Sequence, residues 1–168
     1  MIREKAENMS QTGDASPTVS PDMAYTESAP YAVDPSKRML LPTHWRGPGT
    51  TRQFIVMVAG GDKYLSVLPP AVFEKFINRL REQKPEHVSI PDLERELNSR
   101  VKWVTLDRFG RLPLPPEFLT RVGIGKQGYL VGRNTHFEVW QIEKFKAEAD
   151  TAARQDAGAA IDSQLTAL

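Results

Sequence analysis

Leu106-Asp107-Arg108-Phe109-Gly110-Arg111-Leu112-Pro113-Leu114-Pro115 is the segment from which the architecture can be read. An apolar run enters it, a charged turn interrupts, and a second apolar run leaves. Gly110 can take a positive φ at no steric cost. Asp107 can fold its carboxylate onto the backbone N–H groups just ahead of it. Together these residues predict a tight hairpin turn between two strands, with Arg108 and Arg111 lifted to one end of a small sheet.

The segment has an upstream echo, Val33-Asp34-Pro35-Ser36-Lys37-Arg38-Met39-Leu40-Leu41-Pro42. Both copies read apolar, Asp, three residues, Arg, two residues, Leu, Pro. Asp34 and Asp107 lie 73 positions apart, and so do Arg38 and Arg111. The stretches downstream of the two copies also correspond. Gln53 to Ala59 is a near-continuous apolar run, as expected of a strand covered on both faces. Tyr64 to Leu68 alternates, with Leu65 and Val67 on one face. Phe137 and Val139 repeat that face 72 positions later, and Ile142-Glu143-Lys144-Phe145 answers Phe73-Glu74-Lys75-Phe76 after 69. The sequence therefore predicts two copies of one small unit. Each is about 50 residues, too small to bury much surface alone, so the halves should share a core.

The partition that results is an N-terminal extension over 1–28, a first unit over 29–83, a linker with a short helix over 84–100, a second unit over 101–150, and a helical or frayed tail over 151–168. The extension is rich in Ser, Thr, Asp and Pro without a period, which predicts disorder. Pro69-Pro70 opens a helix in which Val72, Phe73, Phe76, Ile77 and Leu80 form the apolar face through about Glu82. A second helix is expected between Ser89 and Asn98, and a short one from Pro115 to Val122 that ends at Gly123.

Composition narrows the function. The 168-residue chain is 40% hydrophobic with a net charge of +1 and no cysteine. A disulfide framework and zinc–thiolate sites are excluded. No apolar run approaches the length of a membrane span, and no signal-peptide core is seen at the N-terminus. The expectation is a soluble intracellular protein without a membrane partner. Charge is concealed locally. Lys37, Arg38, Arg46 and Arg52 face one acid, Asp34, between Tyr31 and Gly60. Arg100, Lys102, Arg108 and Arg111 face Asp107 between Arg100 and Pro115. Each tally is four minus one, or +3.

Arginine carries the fork that matches phosphate and the guanine edge. The same Asp-to-Arg spacing also suits an ion pair closed within the turn, and both readings stand at this stage. The aspartates read as turn-formers, because a carboxylate is repelled by phosphate. Other constellations read as structure. Gly123-x-Gly125-x-x-Gly128 matches a dinucleotide fingerprint in letters but precedes a strand instead of opening a helix. His44, His87 and His136 share no metal-ligand spacing. Trp45, Trp103 and Trp140 occur one per element, as packing or contact residues do. Gly47-Pro48-Gly49-Thr50-Thr51 reads as a plain loop. No catalytic grouping stands out, so no enzyme, cofactor, metal or small-molecule substrate is expected.

The doubled order of strand, Asp-x-x-x-Arg turn, Leu-Pro strand, helix, two strands and helix resembles the MraZ family, from about Ala29 to Asp150. The second copy carries the likeness best, through Asp107 to Pro115, Leu130-Val131-Gly132 and Phe137-Glu138-Val139-Trp140. The resemblance implies an α+β fold of two fused AbrB/MazE-like swapped-hairpin units, small β-barrels with helices packed outside. It implies a cytoplasmic, nucleoid-associated regulator that forms ring-like homo-oligomers. Its partner would be double-stranded promoter DNA, at repeated sites of cell-division and cell-wall genes. On the residues of this chain it points to Arg38 and Arg111, with Lys37 and Arg108 beside them and Asp34, Asp107 and Gly110 shaping the turns. The first copy departs from the pattern: Lys37 stands where glycine is expected, and Pro35 follows the aspartate. Lysine resists the left-handed conformation, so this turn should either take another shape or use Lys37 for an added phosphate contact. A rival reading is an antitoxin-like interaction module whose disordered N-terminal arm wraps a protein partner.

Overall fold

The protein is described by a computed structural model over residues 20–47 and 50–168. In chain order it has β1 (Ser28–Ala32), β2 (Arg38–Leu40), β3 (Gln53–Ala59), β4 (Tyr64–Leu68), α1 (Pro70–Glu82), α2 (Ile90–Asn98), β5 (Val101–Thr105), β6 (Arg111–Pro113), α3 (Pro116–Val122), β7 (Gln127–Gly132), β8 (Phe137–Trp140), α4 (Ile142–Ala149) and α5 (Ala152–Thr166). Single turns of 3-10 helix lie at Pro21–Met23 and Thr43–Arg46.

The strands form a six-stranded sheet in the order β1-β7-β8-β4-β3-β5 and a separate two-stranded ribbon, β2-β6. Every pairing is antiparallel. The α+β class holds, but the expected small barrels are not formed among the described residues, because the large sheet is open at β1 and β5. The predicted hairpins are also corrected. The turn between β5 and β6 is present, yet these strands do not pair with each other: β5 pairs with β3, and β6 with β2. A flat hairpin would keep β5 and β6 in one layer and leave Leu112 and Leu114 on its surface. Crossing into a second layer buries them, with Met39 and Leu41 of the facing copy, against the sheet.

The main core lies in that interlayer space. Phe54, Val56, Val58, Leu65, Val67, Leu130, Phe137 and Val139 point down from the sheet. Met39, Leu41, Leu112 and Leu114 meet them from the ribbon side, and Phe118, Leu119 and Val122 of α3 complete the cluster. The other face of the sheet is covered by helices. Ile55, Leu68, Phe73 and Leu97 are buried there, with Val72, Phe76, Ile77 and Leu80 of α1 packed around them. This double cover accounts for the unbroken apolar run of β3. Farther along the same face, Phe145 of α4 stacks on Tyr129 at 4.4 Å, and Trp140 stacks on Tyr64 at 4.5 Å.

Register shows a regularity. Residues 28–32 of β1 pair with 131–127 of β7, and residues 101–105 of β5 pair with 57–53 of β3. A shift of 73 carries the first strand of one pair onto that of the other, and a shift of 74 does so for the second. In the ribbon, Arg38 faces Pro113 and Leu40 faces Arg111. Those two pairs exchange under the same shift of 73.

One boundary differs from expectation. The predicted disordered extension over 1–28 falls partly outside the described residues, at 1–19, but its end is built into the core. Tyr25 is 2% exposed and bridges Asn134 through two backbone hydrogen bonds, of 3.0 and 2.8 Å. Its ring lies among Trp45, Phe54 and Phe137, with centroids 5.6, 6.1 and 5.3 Å away. Burial pushes the Tyr25 hydroxyl up to about 12. A single inserted side chain leaves no periodic signal, so composition alone reads the segment as loose. At the other end, the tail is a helix distinct from α4. Asp150 ends α4, and Thr151 caps α5 with its hydroxyl, which accepts from the Arg154 N–H. The predicted linker holds α2, whose Leu97 is buried against the sheet.

Candidate nucleic-acid interface

The two Asp-to-Arg turns have one geometry. The Asp34 N–H donates to the Arg38 carbonyl at 2.9 Å, and the Asp107 N–H donates to the Arg111 carbonyl at 2.9 Å. The Lys37 N–H closes the first turn on the Asp34 carbonyl (2.9 Å), as the Gly110 N–H closes the second on the Asp107 carbonyl (3.0 Å). Lys37 has φ 61° and Gly110 has φ 81°. The first turn therefore keeps its shape with lysine in the left-handed region. Each turn is also locked into the opposite copy, because the Leu41 N–H donates to the Gly110 carbonyl (3.0 Å) and the Leu114 N–H to the Lys37 carbonyl (2.9 Å).

Each aspartate shapes its turn and holds its arginine. Asp34 Oδ1 accepts from the Arg38 N–H, and Asp107 Oδ1 accepts from the N–H groups of Phe109 and Arg111, all at 2.9 Å. The other carboxylate oxygen takes the arginine Nε, at 3.0 Å for Arg38 and 2.9 Å for Arg111. Hydrogen bonding from the Arg38 backbone, with the Arg38 charge beside it, holds the Asp34 carboxyl below its ordinary range against the opposing effect of burial. For Asp107 burial pushes upward, but hydrogen bonds from Arg111 and Phe109 outweigh it and the net shift is down.

The turn-internal ion pair, one of the two readings open from spacing, is thus formed in both copies, and the expectation of freely projecting guanidinium groups is corrected. Each pair spends one edge of the fork. Both arginine side chains remain 32% exposed, and Arg38 Nη1 also approaches Asp107 Oδ2 at 3.6 Å. That cross-contact puts the two turns side by side.

The two basic tallies are redistributed as well. Arg46 and Arg52 cross from the first copy to the second turn. Arg52 Nη2 donates to the Leu106 and Asp107 carbonyls at 3.1 and 2.6 Å, and Arg46 donates to the Leu41 carbonyl at 2.9 Å and the Phe109 carbonyl at 3.5 Å. Arg100 and Lys102 leave the patch, paired with Glu96 and Glu117. One surface results, with Lys37, Arg38, Arg46, Arg52, Arg108 and Arg111 against Asp34 and Asp107; six minus two is +4. Lys37 and Arg108 are exposed at its rim.

Phe109 is a residue that sequence reasoning does not single out. It is 55% exposed at the tip of the second turn, with Arg108 and Arg111 guanidinium carbons 4.6 and 4.9 Å from its ring centre. An aromatic residue at a turn apex, where burial gains nothing, is the available signal. Gly110 carries a second constraint besides its φ, because a Cβ there would run into the Arg46 side chain. Gly110→Ala is expected to cost about 1–2 kcal/mol in left-handed strain and to displace Arg46 from the Phe109 carbonyl. A lowered denaturant midpoint at unchanged slope would report it.

The remaining candidates take structural places. Trp45 is buried and donates from Nε1 to the Thr26 carbonyl at 2.8 Å. Trp140 donates to buried Glu138 at 3.0 Å, whereas Trp103 is exposed on edge strand β5. Gly123, at φ 75°, caps α3 and leads into β7, so the fingerprint lettering has no helix to open. His44, His87 and His136 lie apart, and no metal-binding cluster of His, Asp or Glu occurs among the described residues. Of the Gly47–Thr51 loop, positions 48 and 49 lie outside the described residues.

This arrangement can present several guanidinium edges to one anionic polymer, and comparison with known proteins agrees with that class. Residues 101–165 match the family model described as "MraZ protein, putative antitoxin-like". A protein named transcriptional regulator MraZ from Alcanivorax borkumensis is 27% identical over 72% of this chain and 85% of its own length. The proteins of that name from Roseiflexus sp. and Thermomicrobium roseum are each 26% identical, over 80% and 82% of this chain and 90% and 94% of theirs. The relatives are transcriptional regulators by name. The chain is thus similar to MraZ proteins over most of its length, and to the family model over residues 101–165.

Proposed function

We propose that this protein is a MraZ-type transcriptional regulator that binds double-stranded promoter DNA through the surface around its two turns. The observation that carries the reading is the convergence of six cations from both halves of the sequence on one face, beside only two carboxylates. Arg38 and Arg111 are the principal contacts. Their Nε atoms are held by Asp34 and Asp107, so the rest of each guanidinium is aimed before DNA arrives. Lys37 and Arg108 add phosphate contacts at the rim, and the exposed ring of Phe109 lies against sugar or base edges.

The chain is read as two AbrB/MazE-like units with exchanged strands, 29–83 and 101–150, joined by the 84–100 linker. The common register shift of 73 or 74 supports this reading. One such surface makes few contacts, too few for tight binding at physiological salt. A ring-like homo-oligomer would set several surfaces along repeated promoter sites and raise affinity through effective concentration. Such a protein acts in the cytoplasm, on the nucleoid, and needs no catalytic group.

The arm-based antitoxin reading loses part of its arm, because Tyr25 is committed to the core. The test is a binding titration of the full chain against the DNA upstream of cell-division genes, at stepped salt. Affinity is expected to fall steeply, with a log–log slope of about −0.9 for each phosphate neutralised. Absence of binding, or binding indifferent to salt, would overturn the proposal.

A further inference from the structure

On the helical face of the sheet, opposite the turns, lies an open groove of about 680 Å³. Val72, Phe76 and Leu80 of α1 and Leu93 of α2 form its apolar walls, and Met57 and Ser66 lie on its floor. Lys75 and Arg79, one helical turn apart on α1, line its lip. Both are exposed, and neither has an acid partner among the described residues.

The same chain carries the converse surface. Helix α5 touches its own chain near its start, where the Arg154 guanidinium carbon lies 5.5 Å from the Phe145 ring centre and Gly158 is half-buried. Beyond that point its apolar stripe continues uncovered. Ile161 and Leu165, one turn apart, are 61% and 58% exposed. Asp162 flanks them. A 15-residue helix is about 22 Å long, and its last turns are exposed throughout.

The geometry points to one contact: the Ile161–Leu165 stripe of α5 seats in the α1–α2 groove of a second copy, with Asp162 against Lys75 and Arg79. Three features select this occupant. Both surfaces are apolar strips of helical spacing, Lys75 and Arg79 on the lip are opposite in charge to Asp162 beside the stripe, and α5 is held at its start by α4 while its far end is uncovered. The contact is heterologous, joining one patch to a different patch, so successive copies close into a ring or run on as a filament. The inference rests on the self-association proposed above and gives it a surface.

The absence of cysteine from the chain makes the test clean. Two full-length preparations, Leu165→Cys and Arg79→Cys, are mixed without DNA and oxidised. A cross-link between position 165 of one copy and position 79 of another is expected in the mixture, and neither preparation alone should form it. In parallel, native mass is measured for the wild type and for Ile161→Asp/Leu165→Asp. The variant is expected to fall from a multimer to the monomer mass with helical content retained, because both side chains are exposed in the single chain. A multimer that survives the double substitution, or that gives only 165-to-165 cross-links, overturns this contact and leaves self-association standing. A wild type that stays monomeric at every concentration overturns both. Neither readout involves DNA, so the result is separate from the promoter-binding reading.

Discussion

Replacing both Arg38 and Arg111 by alanine is expected to lower affinity for promoter DNA at least about thirtyfold at fixed salt, with native mass and thermal midpoint nearly unchanged. A guanidinium that reads a base edge or clamps phosphate is worth about 1–3 kcal/mol. Two such losses therefore amount to roughly 2–6 kcal/mol, and each 1.4 kcal/mol is a factor of about ten. The pairing of both arginines with carboxylates bears on this directly. Were the guanidinium groups fully enclosed, DNA could not reach them. They are a third exposed, and each is held through Nε, with Arg38 Nη1 also 3.6 Å from Asp107 Oδ2. Surface pairs of this kind contribute little to stability, so their loss should not unfold the turns, whose backbone hydrogen bonds survive truncation of the arginine. Arg38→Lys/Arg111→Lys separates charge from shape. Lysine keeps the electrostatic attraction but lacks the planar fork, so it should restore the salt dependence and only part of the affinity. Gel-shift or anisotropy titration decides the matter: affinity within threefold of wild type for the double alanine variant would remove the turns from the interface.

How much of the molecule is legible in its sequence depends on what each signal reports. The strands β3 and β4 and the helix α1 are placed closely because periodicity reports burial, although β4, read as alternating, is buried on both faces. The turns are legible because Asp107 and Gly110 have local reasons to be there. Even Lys37, a poor residue for a left-handed position, is flagged by its departure from the glycine of the other copy. Pairing is not legible. A turn predicts that two strands are adjacent in sequence, but whether they then pair or part depends on which layer can bury Leu112 and Leu114. The charge tallies fail for the same reason. They are summed over sequence neighbours, whereas Arg46 and Arg52 reach the turn of the other copy, 54 or more positions away. Phe109 escapes notice because a single aromatic residue in a turn has no periodicity to report its exposure.

Tyr25→Ala is expected to destabilise the protein by about 3–5 kcal/mol, the range for emptying a buried aromatic site, and to lower the thermal midpoint by on the order of 10 °C. The size follows from position. Tyr25 is the hub of an aromatic cluster in which Phe137 also touches Trp45 and Phe54, with centroids 4.9 and 5.7 Å apart. Phe54 and Phe137 belong to the central sheet, whereas Trp45 lies in the segment that follows β2. Removing the tyrosine ring therefore loosens the sheet and the loop behind the first turn together. Deleting residues through Glu27 should cost at least as much, because it also removes the Thr26 carbonyl that accepts from Trp45 and the Glu27 carbonyl that accepts from Gly132. Deletion through position 19 leaves all of these contacts in place and should leave the midpoint near that of the full chain. Calorimetry on the three variants distinguishes a core strand entry from a dispensable arm. A Tyr25→Ala midpoint within about 2 °C of wild type, less than the shift expected for 1 kcal/mol in a chain of this size, would mean that the aromatic cluster does not hold the two layers together.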